Sequence, residues 1–223
     1  MNRKPAMPRF SAAIFDLDGT LIDTERLLID TCLETLLEHG HAVPREVILS
    51  MVGVSHSEGQ NRLSRYLGNQ IDIHAFDRSW EAATLQRYAT GIPPMPGAGQ
   101  LLLRLADAAI PRAVATNSAT ASARKKLTNA GLHGHFHIDH VVGYDAVAQP
   151  KPAPDVFLAA ARRLGVAPER CVAFEDSATG VAAALAAGMT VVHVPDMAPA
   201  GDNGAHHRAA SILEGARACG LID

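Results

Sequence analysis

After Gly97 the sequence alternates short apolar segments with longer amphipathic ones, and this alternation limits the fold more than any other feature. Short strands that alternate with helices favour right-handed crossovers, which build a parallel sheet with helices on both faces. We therefore predict an α/β fold with a doubly wound parallel sheet. The predicted strands are Ser11–Phe15, Arg112–Thr116, Ile138–Val142, Cys171–Phe174 and Thr190–Val194, and the predicted helices are Ala98–Ala109, Ala121–Ala130, Pro154–Leu164 and Ala178–Ala187. The stretch Asp196–His207 is weakly patterned, and we expect a loop there.

A helical block interrupts this pattern between the first strand and the rest of the sheet. It carries helical periodicity without a convincing strand, and a segment rich in Pro and Gly follows it. We expect an α/β core of residues 1–22 and 92–223 and an inserted all-helical domain of residues 23–91. The segments Leu21–Thr24 and Gly91–Pro96 are the predicted hinges. The predicted helices of the block are Thr24–Glu38, Pro44–Val52, Ser57–Leu67 and Asp72–Tyr88.

Charge, cysteine content and hydropathy exclude several classes of function. The 223-residue chain carries 20 Lys and Arg against 23 Asp and Glu and shows no basic stripe, so we expect no nucleic-acid partner. Its three cysteines, Cys32, Cys171 and Cys219, are too widely spaced for a disulfide framework, which favours the reducing cytoplasm. The apolar stretch Val181–Val194 is too short to cross a bilayer, so we expect no membrane partner. These patterns indicate no particular oligomeric state.

Polar side chains follow the predicted strands, and parallel strands bring their carboxyl ends to one edge of the sheet, where ligands bind. Taken singly, such residues are also typical of turns and helix N-caps. Four carboxylates opposed by one lysine need protons or a divalent cation to neutralise them. An all-oxygen set favours Mg²⁺, and a lysine with nearby hydroxyls suits an anion such as a phosphoryl group. The residues are Asp16, Asp18, Thr116, Asn117, Ser118, Lys151, Glu175 and Asp176.

Four segments, taken in chain order, resemble the four motifs of the haloacid dehalogenase superfamily. They are Asp16-Leu17-Asp18-Gly19-Thr20-Leu21-Ile22-Asp23-Thr24-Glu25, Thr116-Asn117-Ser118, Lys151-Pro152-Ala153-Pro154-Asp155 and Phe174-Glu175-Asp176-Ser177. The helical insertion resembles the mobile cap of the subfamily that includes phosphoglycolate phosphatases, sugar-phosphate phosphatases and β-phosphoglucomutase. The resemblance implies a Rossmann-like core and a Mg²⁺-dependent phosphatase acting on a small phosphorylated metabolite. One departure is Gln149-Pro150 ahead of Lys151, where motif three usually has Gly.

The resemblance also implies a role for each motif residue. Asp16 would attack phosphorus and form an aspartyl-phosphate, while Asp18 would protonate the leaving alcohol and then deprotonate the hydrolytic water. The Thr116 hydroxyl and the Asn117 backbone would hold the phosphoryl group, and Lys151 would neutralise it and tie it to Asp16. The implied Mg²⁺ ligands are the Asp16 and Asp176 carboxylates and the main-chain carbonyl of Asp18, with Glu175 acting through water or through another ligand.

Substrate choice is expected to rest on the cap. Mutases of the family carry a His where this chain has Leu28 and a phosphate-binding Arg where it has His56, so hydrolysis is favoured over transfer. Two alternatives stay open: a β-phosphoglucomutase-type phosphotransferase and a non-catalytic phosphate-binding regulatory module. The histidines between His133 and His140 lack standard zinc spacing, and we expect them at the surface. The predicted substrate contacts are Glu25, His56, Asn61, Arg62 and Arg65, although the two arginines fit a solvated helix face equally well.

Overall fold

The chain folds into two compact units. The computed structural model describes residues 10–52, 54–197 and 201–223. One unit comprises Met1–Ile22 with Pro94–Asp223, and the other comprises Asp23–Pro93. Within the described ranges, no helix has both the length and the apolar character needed to span a lipid bilayer.

The two segments that join the units run side by side. An antiparallel bridge pairs Ile22 with Pro94, and the Asp23 N–H donates to the Pro93 carbonyl at 2.8 Å. The division between the units therefore falls after Pro93, two residues later than the boundary that we expect at residue 92. Backbone pairing fixes this position, and the Pro- and Gly-rich composition alone does not specify it.

Four helices lie in the described part of Asp23–Pro93. They are α1 (Thr24–Glu38), α2 (Arg45–Leu49), α3 (His56–Tyr66) and α4 (Ile73–Thr90). The prediction for α1 is confirmed residue for residue, and the other three shift at their ends by one to three residues. α1 packs against α4, where the Trp80 indole N–H donates to the Leu28 carbonyl at 3.2 Å and the Phe76 and Trp80 rings stack. Contacts between its own helices thus hold this unit together.

Six strands in the described residues form one parallel sheet in the larger unit. They are β1 (Ala12–Phe15), β2 (Arg112–Ala115), β3 (Val141–Val142), β4 (Cys171–Glu175), β5 (Thr190–His193) and β6 (His207–Arg208). Their order across the sheet is β3-β2-β1-β4-β5-β6. β1 pairs with both β2 and β4, although a whole helical unit separates it from β2 in sequence. The predicted doubly wound parallel sheet is confirmed.

Helices cover both faces of this sheet. They are α5 (Ala98–Asp107), α6 (Thr120–Asn129), α7 (Asp155–Leu164), α8 (Ala178–Ala186) and α9 (Ile212–Ala218). Ala12 and Ile14 belong to the apolar core beneath α7 and α8, while Val192 on the opposite face contacts Gly215 of α9. Because strands buried on both faces need apolar side chains throughout, they appear in the sequence as continuous apolar runs.

Two segments differ from the sequence-based prediction. Ile138–His140 forms a turn of 3₁₀ helix, so β3 keeps only Val141 and Val142 of the predicted strand. The His137 ring nitrogen accepts the Asp139 N–H and favours this turn. The predicted loop Asp196–His207, of which residues 198–200 lie outside the described ranges, runs into β6 and then α9, both unpredicted because neither carries a clear apolar period.

The sheet reverses its winding direction between β1 and β4. From β1 the chain passes outward through β2 to β3, then returns to β4 on the other side of β1. In open parallel sheets, the carboxyl ends of strands at such a reversal form a crevice that binds ligands. Asp16 directly follows β1, Thr116 follows β2 and Glu175 ends β4, so these residues meet at one edge.

Candidate active site

The Lys151 side chain lies between two buried carboxylates at this edge of the sheet. Its Nζ is 2.5 Å from Oδ1 of Asp16 and 2.5 Å from Oε1 of Glu175. Asp16 and Lys151 are each 7% exposed and Glu175 is fully buried. The Phe157 ring packs 4.9 Å from the ammonium. Since a buried charge must be paired to be tolerated, this arrangement fixes the position of Asp16 relative to Lys151.

Burial and neighbouring charges set the pKa values of this pair. Burial raises the pKa of Asp16 to about 8; Lys151 opposes the rise, and Glu175 and Asp18 add to it. Burial lowers the pKa of Lys151, but the charges of Asp16 and Glu175 outweigh burial, so the pKa of Lys151 lies above its usual value. Lys151 therefore carries its charge, whereas ionised Asp16 needs more positive charge than this lysine supplies.

An acidic cluster at the same edge can hold a cation. Asp16, Glu175 and Asp176 each offer a carboxylate oxygen within 4.8 Å of the others, the one such group of His, Cys, Asp or Glu in the described residues. Both oxygens of Glu175 already accept hydrogen bonds, one from Lys151 and the other from the amide and hydroxyl of Ser177. The all-oxygen set fits a hard divalent cation. The expected role of Glu175, acting on a metal through water or through another ligand, stays a prediction.

The turn after Asp18 comes so close to Asp176 that it requires glycine at position 19. A Cβ on Gly19 would lie 2.5 Å from Oδ2 of Asp176, and the φ of +84° lies in the left-handed region that favours glycine. The next residue, Thr20, donates its hydroxyl to Oδ1 of Asp176 at 3.2 Å. These contacts hold the Asp176 carboxylate against the loop that carries Asp16 and Asp18.

A buried histidine, not identified as a site residue from the sequence, holds the backbone of Asp176. His193 ends β5 and its Nε2 lies 2.9 Å from the Asp176 carbonyl oxygen. Because a carbonyl only accepts, Nε2 must carry the proton, and Nδ1 then accepts from the Asn203 side-chain amide at 3.1 Å. The signal for this contact in the sequence is a polar residue within a predicted buried strand.

Asn117 uses its side chain to hold the loop of Lys151. Its Nδ2 donates to the Lys151 carbonyl at 3.2 Å, and its Oδ1 accepts the Lys151 N–H at 2.9 Å. Thr116 is buried and accepts the Ser118 N–H on its hydroxyl oxygen at 3.0 Å. An accepting hydroxyl can still donate its own proton to an oxyanion. The loop with Gln149-Pro150 in place of the usual glycine is therefore anchored by Asn117.

Both carboxylate oxygens of Asp18 are held by α6 and the loop before it. The Ser118 hydroxyl donates to Oδ2 at 2.8 Å, and the Lys126 ammonium donates to Oδ1 at 2.7 Å. From the sequence we expect the Ser118 hydroxyl to suit a phosphoryl group, but in the structure it donates to the Asp18 carboxylate. Sequence reasoning missed Lys126. Its signal is position: it lies three residues after buried Ala123 and next to buried Leu127, on the inner side of the helix.

The histidines between 133 and 140 form no metal site in the described structure. They lie in two short 3₁₀ helices, His133–His135 and Ile138–His140, and around them. Burial lowers the pKa of His135, helped by the charge of Arg112. Burial likewise lowers the pKa of His140, helped by His137. These imidazoles are exposed or partly exposed, so the segment lies at the protein surface, as we expect from the sequence.

A cavity of about 320 Å³ lies within the Asp23–Pro93 unit, and mostly apolar side chains line it. Two predicted substrate residues, Glu25 and His56, are among the lining residues. The His56 Nε2 lies 3.1 Å from Oδ2 of Asp77, and its ring stacks on Trp80. The structure thus brings Glu25 and His56 to one cavity, while their contact with a substrate stays a prediction.

Arg62 and Arg65 do not line this cavity. The Arg62 Nε lies 2.7 Å from Oε1 of Glu58, and an Arg65 guanidinium nitrogen lies 3.7 Å from the same oxygen. Both arginines are exposed on α3. The Arg65 Nε donates to the main-chain carbonyl oxygen of Asn61, which is also on α3. The hydrogen bond from Arg62 lowers the pKa of Glu58, and the charges of both arginines lower it further. Their predicted contact with substrate stays a prediction without support from this geometry.

The fold and the site define an α/β enzyme whose buried aspartate, lysine and cation-accepting acids meet at the reversal point of a parallel sheet. The chain belongs to the haloacid dehalogenase-like hydrolases, whose family model matches residues 13–194. The resemblance that the four motifs indicate is therefore confirmed.

Known proteins of this family resemble the chain over most of its length. The fructose-1-phosphate phosphatase YqaB of Escherichia coli (strain K12) is 34% identical over 186 residues, 83% of this chain and 97% of the relative. A haloacid dehalogenase family hydrolase of Deinococcus radiodurans R1, solved with bound phosphate and sodium, is 30% identical with a TM-score of 0.83, covering 95% of each chain. A putative β-phosphoglucomutase of Thermotoga maritima is 27% identical with a TM-score of 0.82, covering 96% of this chain and 100% of the other.

Proposed function

We propose that the chain is a Mg²⁺-dependent phosphatase that hydrolyses a small phosphorylated metabolite, such as a sugar phosphate, through an aspartyl-phosphate on Asp16. The observation that carries the proposal is the buried Asp16 carboxylate held 2.5 Å from charged Lys151. Asp18 lies two residues further along the same turn, which gives the site a second carboxylate for proton transfer. The fructose-1-phosphate phosphatase among the relatives supports this substrate class.

In the first step, a carboxylate oxygen of Asp16 attacks phosphorus and forms an O–P bond while the bond from phosphorus to the leaving oxygen breaks. Protonated Asp18 gives its proton to that oxygen, so a neutral alcohol departs. Lys151, the Thr116 hydroxyl and the main-chain N–H of Asn117 would face the negative charge on the phosphoryl oxygens. Such fixed charges and dipoles stabilise the transition state because they need no reorganisation during the reaction.

In the second step, Asp18 takes a proton from a water molecule, whose oxygen attacks the phosphorus of the aspartyl-phosphate. The bond from phosphorus to the Asp16 oxygen breaks, so inorganic phosphate leaves and the Asp16 carboxylate is restored. Asp18 ends protonated and is ready for the next substrate. The same two aspartates therefore complete the cycle without a further proton donor.

The acidic cluster would bind the metal ion that this mechanism uses. The Asp16 and Asp176 carboxylates and the main-chain carbonyl of Asp18 would hold Mg²⁺, consistent with the all-oxygen donor set. When bound, Mg²⁺ supplies positive charge for the phosphoryl oxygens and lets Asp16 ionise. The Thr20 hydroxyl and the His193 ring keep Asp176 in place for that task.

Substitution of the proposed nucleophile tests the function. Asp16→Asn keeps the shape and the volume of the side chain but removes the nucleophilic charge. We expect the variant to fold and to bind inorganic phosphate but to release no phosphate from 4-nitrophenyl phosphate. The wild-type enzyme should release phosphate from this substrate in the presence of Mg²⁺ and not in the presence of EDTA. A screen of sugar phosphates, phosphoglycolate and nucleotides would then identify the substrate. Full turnover in Asp16→Asn would contradict the proposal.

A β-phosphoglucomutase-type transferase is the second candidate, because a putative member of that class shares the fold over almost the whole chain. The two candidates differ in the acceptor of the phosphoryl group, water or a second hydroxyl. Incubation with β-glucose 1-phosphate distinguishes them: free phosphate indicates hydrolysis and glucose 6-phosphate indicates transfer. The His56 and Leu28 side chains, which replace an Arg and a His of mutases, favour hydrolysis.

A further inference from the structure

Lys126, Ser118 and Asp18 form a closed triangle of hydrogen bonds in the larger unit. The Lys126 ammonium donates to Oδ1 of Asp18 at 2.7 Å and to the Ser118 hydroxyl oxygen at 3.0 Å. That hydroxyl in turn donates to Oδ2 of Asp18 at 2.8 Å. The Lys126 and Asp18 side chains are only 15% and 28% exposed, so water screens their attraction less than it screens a surface pair.

A carboxylate held on both oxygens cannot rotate about its Cβ–Cγ bond without breaking a contact. Ser118 is itself fixed, because its N–H donates to the Thr116 hydroxyl oxygen directly after β2. Lys126 approaches from the second turn of α6, a rigid element, and not from a loop. The triangle therefore ties Asp18 to two separate elements of the core.

We propose that Lys126 is a positioning residue that holds the Asp18 carboxylate in the orientation needed for proton transfer, first to the leaving alcohol and then from water. The proposal rests on the proposed function of Asp18 as acid and base. Lys126 acts through Asp18 and Ser118. It lies outside the four motif segments, so the resemblance to the family does not predict this role. Misplacement of a reacting group by about 1 Å costs about 100-fold in rate, which sets the size of the expected effect.

Substrates whose leaving groups differ in basicity distinguish positioning of Asp18 from phosphoryl binding and from support of the fold. Departure of an alkoxide requires a proton from Asp18, whereas 4-nitrophenolate departs without one. Loss of Lys126 should therefore lower kcat/KM for an alkyl phosphate far more than for 4-nitrophenyl phosphate. If Lys126 instead bound the phosphoryl group or only supported the fold, kcat/KM for the two substrates would fall by the same factor.

The experiment compares Lys126→Met with the wild-type enzyme on 4-nitrophenyl phosphate and on the alkyl phosphate that the wild type hydrolyses fastest. We expect kcat/KM to fall about 10- to 100-fold for the alkyl phosphate and by less than about threefold for the aryl phosphate. Lys126→Arg should bring the ratio of kcat/KM for the alkyl phosphate to kcat/KM for the aryl phosphate back towards the wild-type value, because it restores a cationic donor. Lys125→Met is the matched control: it removes the exposed neighbouring lysine and should change neither value.

The outcomes separate this inference from the proposed function. If the wild-type enzyme releases phosphate from neither substrate, the proposed function itself fails. If it hydrolyses both and Lys126→Met lowers both equally, or lowers neither, the positioning role is wrong while the phosphatase stands. Should Lys126→Met fail to fold by circular dichroism, Lys126→Gln, which keeps a hydrogen-bond donor without the charge, gives the same ratio test.

Discussion

The Asn117 side-chain amide and the Lys151 backbone form a matched pair of hydrogen bonds, 3.2 Å from Nδ2 to the Lys151 carbonyl oxygen and 2.9 Å from the Lys151 nitrogen to Oδ1. This pair joins the loop after β2 to the loop before α7, 34 residues further along the chain. From this anchored backbone the Lys151 side chain extends to Asp16 and Glu175 and donates a hydrogen bond to each carboxylate. Asn117 therefore fixes the backbone position from which Lys151, the proposed catalytic lysine, extends.

Asn117→Ala should lower kcat/KM by about 10- to 100-fold. The Lys151 loop loses both hydrogen bonds from the Asn117 side chain, and the Lys151 ammonium is then no longer held in position beside Asp16. Inorganic phosphate should also become a weaker competitive inhibitor. Asn117 is exposed, so thermal stability should change little. Asn129→Ala, at the end of α6, is the control and should behave as the wild-type enzyme. Undiminished phosphate inhibition in Asn117→Ala would show that Lys151 does not depend on this pair.

Gly180 and Gly99 are both helical glycines, yet alanine should destabilise the protein only at Gly180. A Cβ at Gly180 would lie 1.8 Å from Oε1 of Glu175, whereas a Cβ at Gly99 would meet nothing within 4 Å. Alanine favours a helix by about 0.5–1 kcal/mol over glycine, so Gly99→Ala should raise or preserve the free energy of unfolding. Gly180→Ala should lower it by about 1–3 kcal/mol, because Glu175 is fully buried and bonded to Lys151.

Urea denaturation measures the free energy of unfolding of Gly180→Ala and Gly99→Ala, and the rate of phosphate release gives a second readout. Because Gly180→Ala pushes Glu175 against Lys151, its kcat should fall as well, whereas Gly99→Ala should keep full activity. Equal stability of the two variants would mean that Glu175 moves away at no cost, so its contact with Lys151 would not stabilise the fold.

The sequence alone predicts the parallel sheet and the meeting of the motif residues because both follow from local patterns. Continuous apolar runs identify β1, β4 and β5, since these strands are buried on both faces. Parallel strands then bring Asp16 and Glu175 to one edge without knowledge of side-chain positions. β6 was not predicted because its two residues pair only with β5 and carry no period of their own.

Hydrogen bonds between residues distant in sequence could not be predicted, because periodicity carries no information about partners. Lys126 lies 108 residues from Asp18, and His193, at the end of β5, lies 17 residues from Asp176. Ser118 fits a phosphate-binding hydroxyl by its motif, yet its proton is directed to Asp18. In each case the residue type indicates what bond it can form, and only the packing of helices against the sheet selects the partner.

His193→Leu should weaken Mg²⁺ binding while leaving the sheet intact. The substitution places an apolar side chain of similar volume on β5 and leaves the Asp176 carbonyl without its donor. Loss of a group that orients a metal ligand typically costs 10- to 100-fold in affinity, so we expect the Mg²⁺ dissociation constant to rise about tenfold or more. Isothermal titration calorimetry measures this change, with exposed His133→Leu as the control. A lower melting temperature with unchanged Mg²⁺ affinity would assign His193 a purely structural role.

Mg²⁺ binding should strengthen as the pH rises from about 6 to about 9, because burial raises the pKa of Asp16 to about 8 in the metal-free protein. Below that pKa the carboxyl group holds a proton that the cation must displace, so the dissociation constant should fall by up to about tenfold per pH unit and level off above it. Calorimetry in buffers of different ionisation enthalpy counts the displaced protons, about one at pH 6 and almost none at pH 9. In Asp16→Asn, which has no such proton, the pH dependence should disappear. Mg²⁺ binding without proton release at pH 6 in the wild-type protein would show that Asp16 is already ionised there, with Lys151 alone sufficient as its counterion.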